Sequence, residues 1–158
     1  MANKRFLRKP KIQPRGHEWL YGIKAVESAI SSSYRKHFAM WVKHPLGERV
    51  QGLQKAAEER GITIKKATPE IIEMHCPDVV HQGVLLECSA RHLETPTSLP
   101  ATQKLNPFYL VLDQIKDPQN FGAILRSAAF FGCSGCIITK DHSPGVTPAV
   151  SKASVGVA

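Results

Sequence analysis

No stretch of this chain approaches the roughly eighteen consecutive apolar residues that a membrane-spanning helix needs, and its N-terminus lacks the apolar run of a secretory signal. The expected compartment is therefore cytoplasmic, with no membrane partner. There is no G-x-G-x-x-G and no phosphate-loop lysine, which weakens any reading as a dinucleotide or nucleoside triphosphate enzyme. Acidic residues are missing from the first sixteen positions, which hold six basic ones: Lys4, Arg5, Arg8, Lys9, Lys11 and Arg15. Without them the net charge of +8 falls to +2, with 15 basic against 13 acidic residues. A cationic arm (1–16) on a nearly neutral body is what a phosphate-rich partner attracts, because each neutralised phosphate releases counterions. A solvated tail, a lipid-binding segment or a mitochondrial address are the rival readings of the same arm.

Cysteine is sparse as well. With no secretory signal, Cys76, Cys88, Cys133 and Cys136 are expected as reduced thiols. Cys133 and Cys136 form a C-x-x-C, but a redox pair wants its first thiol at a helix N-terminus, and Cys133 follows a helix end at Gly132. A zinc site would need a second closely spaced pair, which Cys76 and Cys88 do not provide. All four are read as packing residues, and no metal is expected.

What the chain does contain is a regular alternation. Ile23, Val26 and Ile30 recur at helical spacing, Ala39 to Val42 reads as a buried strand, and Val50, Leu53 and Ala57 mark a second helix ending at Gly61. Ile62 to Ile64 is a second strand, Thr68-Pro69 caps a short helix, and Gly83 to Glu87 is a third strand. A polar, proline-bearing stretch from Glu94 to Pro107 follows and reads as a linker between an α/β unit at 17–93 and another at 108–158. The second unit opens with the apolar strand Phe108 to Leu112, passes through a loop, enters a helix capped by Asn120, and adds a strand at Cys136 to Thr139. Thr147-Pro148 then caps a further helix. Two strands and two helices leave most of a sheet unbuilt, so the sequence reads as cut.

The chemistry is concentrated at the strand-to-helix junction Asp117-Pro118-Gln119-Asn120-Phe121-Gly122, followed by Arg126. A helix N-terminus offers backbone N–H groups and a partial positive charge to an anion. Arg126 lies one turn beyond Gly122, whose missing side chain leaves room for a close backbone or a ligand. A cap, a packing glycine and a surface cation would explain the same residues without any site.

Asp117-Pro118, Asn120, Gly122 and Arg126, preceded by an apolar strand, resemble the first signature motif of the SpoU family of RNA ribose 2′-O-methyltransferases. Tyr21-Gly22-Ile23 with Ala25-Val26, and His81-Gln82-Gly83-Val84, resemble the opening and closing segments of that family's substrate-binding domain. Thr147-Pro148, Val150, Lys152, Ser154 and Gly156 resemble its helix after the second catalytic-domain strand. The likeness runs from about Gly16 to the last residue and is nearest to the bacterial and mitochondrial enzymes acting on guanosine in large-subunit ribosomal RNA.

This resemblance implies a small mixed-sheet RNA-binding domain, then the N-terminal part of a knotted α/β methyltransferase domain. It implies S-adenosylmethionine as methyl donor, ribosomal RNA as partner and a homodimer. Arg126 and Asn120 become the expected catalytic residues, and Gly122, His81, Gln82, Lys4, Arg5 and Arg8 the expected substrate contacts. A ribose 2′-hydroxyl is a poor nucleophile whose developing charge needs stabilising, and an arginine suits that role better than the role of base, because it holds its proton so firmly. Asn120 would hold the guanidinium or the ribose. Two further family motifs, which thread the knot, form the cofactor pocket and make much of the dimer contact, have no counterpart before Ala158. The cofactor-binding residues are therefore expected outside these 158 residues, and this chain alone is expected to be inactive. A non-catalytic RNA-binding module is the rival from another class.

Other candidates have bland readings. His81 at a strand entry stabilises turns more often than it stacks on RNA. Trp41 is read as core, Trp19 as either core or RNA contact, and Lys65 and Lys66 as a solvated strand edge.

Overall fold

The computed structural model describes residues 16–95, 97–99, 102–103, 105–139 and 143–158. The candidates Lys4, Arg5 and Arg8 lie outside the described residues. Among the described residues the elements follow in the order β1 (His17–Tyr21), α1 (Ile23–Ser31), β2 (His37–Val42), α2 (Glu48–Glu59), β3 (Thr63–Lys66), α3 (Pro69–His75), β4 (Val84–Ser89), β5 (Tyr109–Leu112), α4 (Pro118–Phe130), β6 (Gly135–Ile138) and α5 (Pro148–Ala153). They make two sheets. The first has the order β1-β4-β2-β3, antiparallel except for the parallel β2–β3 pair; the second pairs β5 with β6 in parallel. Among the described residues no strand pairing joins the two.

Alternation along the first sheet sorts its side chains between two layers. Leu20, Met40, Val42, Val84, Leu86 and Cys88 face α1 and α2, meeting Val26, Ile30, Val50, Leu53 and Ala57 in one core. Trp19, Leu85 and the half-buried Trp41 face the other way, where α3 closes over them with Ile71, Ile72 and Cys76. Trp19 stacks on His75 at 3.8 Å and is buried, so the residue read either way is core. β3 is an edge strand with Lys65 and Lys66 exposed, as a solvated edge should be.

The second sheet packs one face only. Leu110, Leu112 and Ile138 meet Phe121, Ile124, Leu125 and Val150 from α4 and α5, while Val111 and Ile137, paired across the strands, face solvent. The short helix α5 also runs beside β1, the free edge of the first sheet, and ties the two units together. Arg35, only 7% exposed, donates to Glu18 Oε2 at 2.6 Å and to the Ser89 carbonyl at 2.8 Å, and reaches the Val146 carbonyl ahead of α5 at 3.3 Å. At the far end of α5, Lys152 Nζ donates to Gln82 Oε1 at 2.9 Å, and Ser28 Oγ donates to the Gly156 carbonyl. A charge buried in this way holds its partners firmly, because losing one would leave the other unpaired in a low dielectric.

Candidate functional site

α4 begins earlier than the sequence reading placed it. Its cap is Asp117, not Asn120: the Asp117 carboxylate accepts from Gln119 N at 3.3 Å and Asn120 N at 3.0 Å, and Pro118 occupies the first turn. The pattern repeats Thr68-Pro69 and Thr147-Pro148, whose threonines cap α3 and α5 in the same way. Proline fits the first turn because its missing N–H would have had no partner there. This overturns the expectation of an open anion site at the helix start. Asp117 is itself the anion, and it takes two of the free donors.

Gly122 faces α5. A Cβ at this position would lie 2.9 Å from both Ser154 N and the Val150 carbonyl, so the space opened by the missing side chain is filled by protein backbone and not left for a ligand. The glycine lets α4 and α5 approach closely, and that approach buries Phe121 and Val150. Arg126, one turn on, is exposed, and its side chain makes no hydrogen bond or ion pair with any described residue. Asn120 is also exposed. The two are separated by about 9 Å of helical rise and about 120° of rotation, so they stand on adjoining sides of the helix without touching. Asn120 does not hold the guanidinium in this structure. An unengaged guanidinium with five donors, on a helix fixed from behind by α5, can take up two oxygens of a phosphate or ribose at once.

The remaining expected substrate contacts are internally engaged. His81 Nδ1 accepts from Gly83 N at 3.0 Å inside a turn where Gln82 has φ +55 and Gly83 φ +80. Burial, then the nearby Lys43 and Lys152, hold the imidazole below its usual range. Gln82 Oε1 accepts from both Ile23 N at 3.0 Å and Lys152 Nζ at 2.9 Å. The first-unit segment around Gln82 and the second-unit segment around Lys152, far apart in sequence, thus meet at one side-chain oxygen. Sequence reading missed this bridge and the Arg35 pair; neither leaves a local signal.

Cys76 and Cys88 are buried and Cys133 and Cys136 half-buried, the Cys133 thiol donating to the Phe108 and Gly135 carbonyls. Burial pushes the Cys136 thiol up to about 11, with a further push from Cys133 beside it. Among the described residues no helix is long and apolar enough to cross a membrane.

The described residues thus form a two-part α/β architecture, a four-stranded mixed sheet joined to a β–α–β–α unit with a solvent-facing arginine on its first helix. Residues 19–93 match the RNA 2′-O ribose methyltransferase substrate-binding family, and residues 107–158 match the SpoU rRNA methylase family. The chain belongs to the SpoU family. It is 31% identical over 142 residues to the 23S rRNA (guanosine-2′-O-)-methyltransferase RlmB of Shewanella oneidensis, covering 88% of this chain and 58% of that protein. It is also 31% identical over 144 residues to the putative TrmH family tRNA/rRNA methyltransferase YacO of Bacillus subtilis, covering 89% and 57%. The fold is similar to that of the SpoU methyltransferase AviRb from Streptomyces viridochromogenes in complex with AdoMet, with a TM-score of 0.68 at 17% identity, over 90% of this chain and 51% of that one. The AdoMet-bound rRNA methyltransferase from Sinorhizobium meliloti gives 0.66 at 20% identity, over 89% and 51%. The chain thus spans little more than half the length of these relatives.

Proposed function

We propose that this chain is the RNA-binding unit and the opening part of the catalytic unit of an RNA ribose 2′-O-methyltransferase. Its substrate is a guanosine of large-subunit ribosomal RNA, as the name of the Shewanella relative states for that protein. The observation that carries this reading is Arg126, exposed and uncommitted on a helix whose N-terminus is already closed by Asp117 and whose back is fixed by α5. Such a guanidinium is free for an incoming ribose-phosphate. It stabilises the negative charge that develops as the 2′-oxygen attacks, while the exposed Asn120 orients the ribose.

S-adenosylmethionine supplies the methyl group in this reading, but the described residues do not build a place for it. The cavity between α1 and α5 measures about 90 Å³, and the groove of about 350 Å³ beside β5 is open and lined almost entirely by apolar side chains such as Phe108, Leu110 and Ile124. Cofactor sites are enclosed, run to roughly 300–1,000 Å³ and carry polar anchors. Its pocket is therefore assigned to segments beyond these residues. The uncovered Val111, Ile137, Phe130 and Phe131 fit the same picture, with further chain and a second copy of the protein covering them in a homodimer. The place of action is the cytoplasm.

The test is single-turnover methylation of ribosomal RNA by the full-length enzyme, beside cofactor titration. Arg126→Ala should lower the rate by roughly 100- to 1,000-fold, the usual loss for a donor to a developing oxyanion. Arg126→Lys should not restore it, because the planar fork is lost. Cofactor affinity should stay unchanged in both. Full activity in Arg126→Ala would end the assignment.

A further inference from the structure

The first sheet has two ends, and they differ in chemistry. At one, His81, Gln82 and Gly83 are held in the turn and by Lys152. The other is where β1 and β2 begin and β4 finishes, brought together by the pairing of His17 with Ser89 and of His37 with Cys88. Backbone bonds extend this junction: Ser89 N donates to the Lys36 carbonyl and Ala90 N to the Gly16 carbonyl, each at 2.8 Å.

Aromatic and basic side chains gather at this second end. Tyr34 is 68% exposed, with the Arg91 guanidinium over its ring at 3.9 Å. Phe38 is 39% exposed and stacks on His17 at 4.2 Å, the rings 10° from parallel. Of the charges here, Arg35 is matched by Glu18, whereas Lys36 has no acidic partner among the described residues and Arg91 is engaged only with a ring. The chain enters this end at Gly16, so the six cations of the preceding arm are attached at this point in the sequence. Exposed flat rings carry a cost in water unless something stacks on them, and uncompensated cations call for anions. Unpaired RNA offers both, a base face for each ring and a phosphate for each cation, whereas a duplex hides its base faces.

We propose that Tyr34, Phe38, Lys36 and Arg91 form the surface on which an unpaired RNA segment docks. This rests on the RNA-modifying reading and adds to it the place and the form of the RNA. The competing basic surface is the β3 edge, where Lys65 and Lys66 are exposed, but the ring beside them, Trp41, is half-buried and packed into the core under α3, whereas Tyr34 and Phe38 are both exposed.

The experiment is fluorescence anisotropy of this chain with a fluorescein-labelled hairpin RNA and with a blunt RNA duplex of equal length, across a salt series. The hairpin should bind more tightly than the duplex. Tyr34→Ala and Phe38→Ala should each weaken hairpin binding by roughly 5- to 150-fold, the range for losing one base–ring stack, while Tyr34→Phe keeps it. Lys36→Gln and Arg91→Gln should each lower the salt slope by about one. Lys65→Gln and Lys66→Gln should change little. The ring variants alter exposed side chains, and matching melting curves will show that they fold. Hairpin binding that survives both ring substitutions, or that depends on Lys65 and Lys66 instead, overturns the docking surface and leaves the RNA-modifying reading standing. No binding to either RNA overturns the docking surface, and methylation by the full-length enzyme then decides the broader reading separately.

Discussion

The two sheets of this chain solve the same problem to different degrees. In the four-stranded sheet both faces are covered, and Met40, Val84 and Leu86 have no measurable exposure. In the two-stranded sheet one face is covered by α4 and α5, while on the other Val111 is 67% exposed, and Phe130 and Phe131 at the end of α4 are 84% and 72% exposed. Burial of apolar surface stabilises a fold by roughly 25 cal/mol per Å², so the first sheet can hold itself together, whereas the second depends on what it leans on. Within this chain it leans on α5, which is anchored to the first unit at Arg35 and Gln82. The unit that carries Arg126 is thus the less self-sufficient one, and its geometry is set partly by the first unit.

The sharpest way to break this contrast is to truncate one apolar side chain to alanine in each sheet. Met40→Ala empties part of a closed core and should destabilise the chain by about 2–5 kcal/mol in a denaturant melt. Val111→Ala removes methyls that already face water and should change stability by no more than about 0.5 kcal/mol. Equal losses would show that the exposed face of the second sheet is not exposed in solution.

A smaller effect tests the dependence on α5. Gly122→Ala would ordinarily gain about 1 kcal/mol of helix propensity, but the new methyl runs into the backbone of α5 at Val150 and Ser154. Overpacking of that kind should outweigh the gain, giving a net loss of about 1–3 kcal/mol and faster hydrogen exchange in α4 and α5 than in β2 and β4. A stabilised variant would mean that α4 and α5 are not in close contact.

Much of this was legible in advance, for identifiable reasons. The helical spacing of Ile23, Val26 and Ile30 and the Thr-Pro starts at 68 and 147 are local signals, and the structure has helices there. β1 was not legible, since His17 to Tyr21 is five residues long and adjoins a strongly basic arm that obscures its alternation. Nor was the sheet order, which depends on pairing between segments distant in sequence. The site was half legible. Asn120, Gly122 and Arg126 could be singled out as a pattern, but Gly122 facing α5 and Gln82 facing Lys152 are products of tertiary packing, and the Lys152–Gln82 contact spans 70 positions. The start of α4 has a local signal too, because Asp117-Pro118 follows the same capping rule as the two threonine-proline pairs.

That helix start supplies the finest test of how the second unit divides its labour. If Asp117 only closes the helix and Asn120 only serves the substrate, their alanine variants should fail in different assays. Asp117→Ala frees the N–H groups of Gln119 and Asn120 and should cost about 1 kcal/mol of stability, with Asp117→Asn or Asp117→Ser recovering most of it because either side chain can still accept from the helix start. Asn120→Ala removes an exposed side chain with no hydrogen bond to any described residue, so the melt should shift by no more than about 0.5 kcal/mol while methylation by the full-length enzyme falls. The two measurements together discriminate: a helix-start residue moves the melt and a substrate residue moves the rate. Should Asn120→Ala destabilise the fold as much as Asp117→Ala while leaving single-turnover methylation intact, Asn120 would be a second structural residue of the α4 start, and Arg126 would be left as the one proposed substrate-facing residue of the pair.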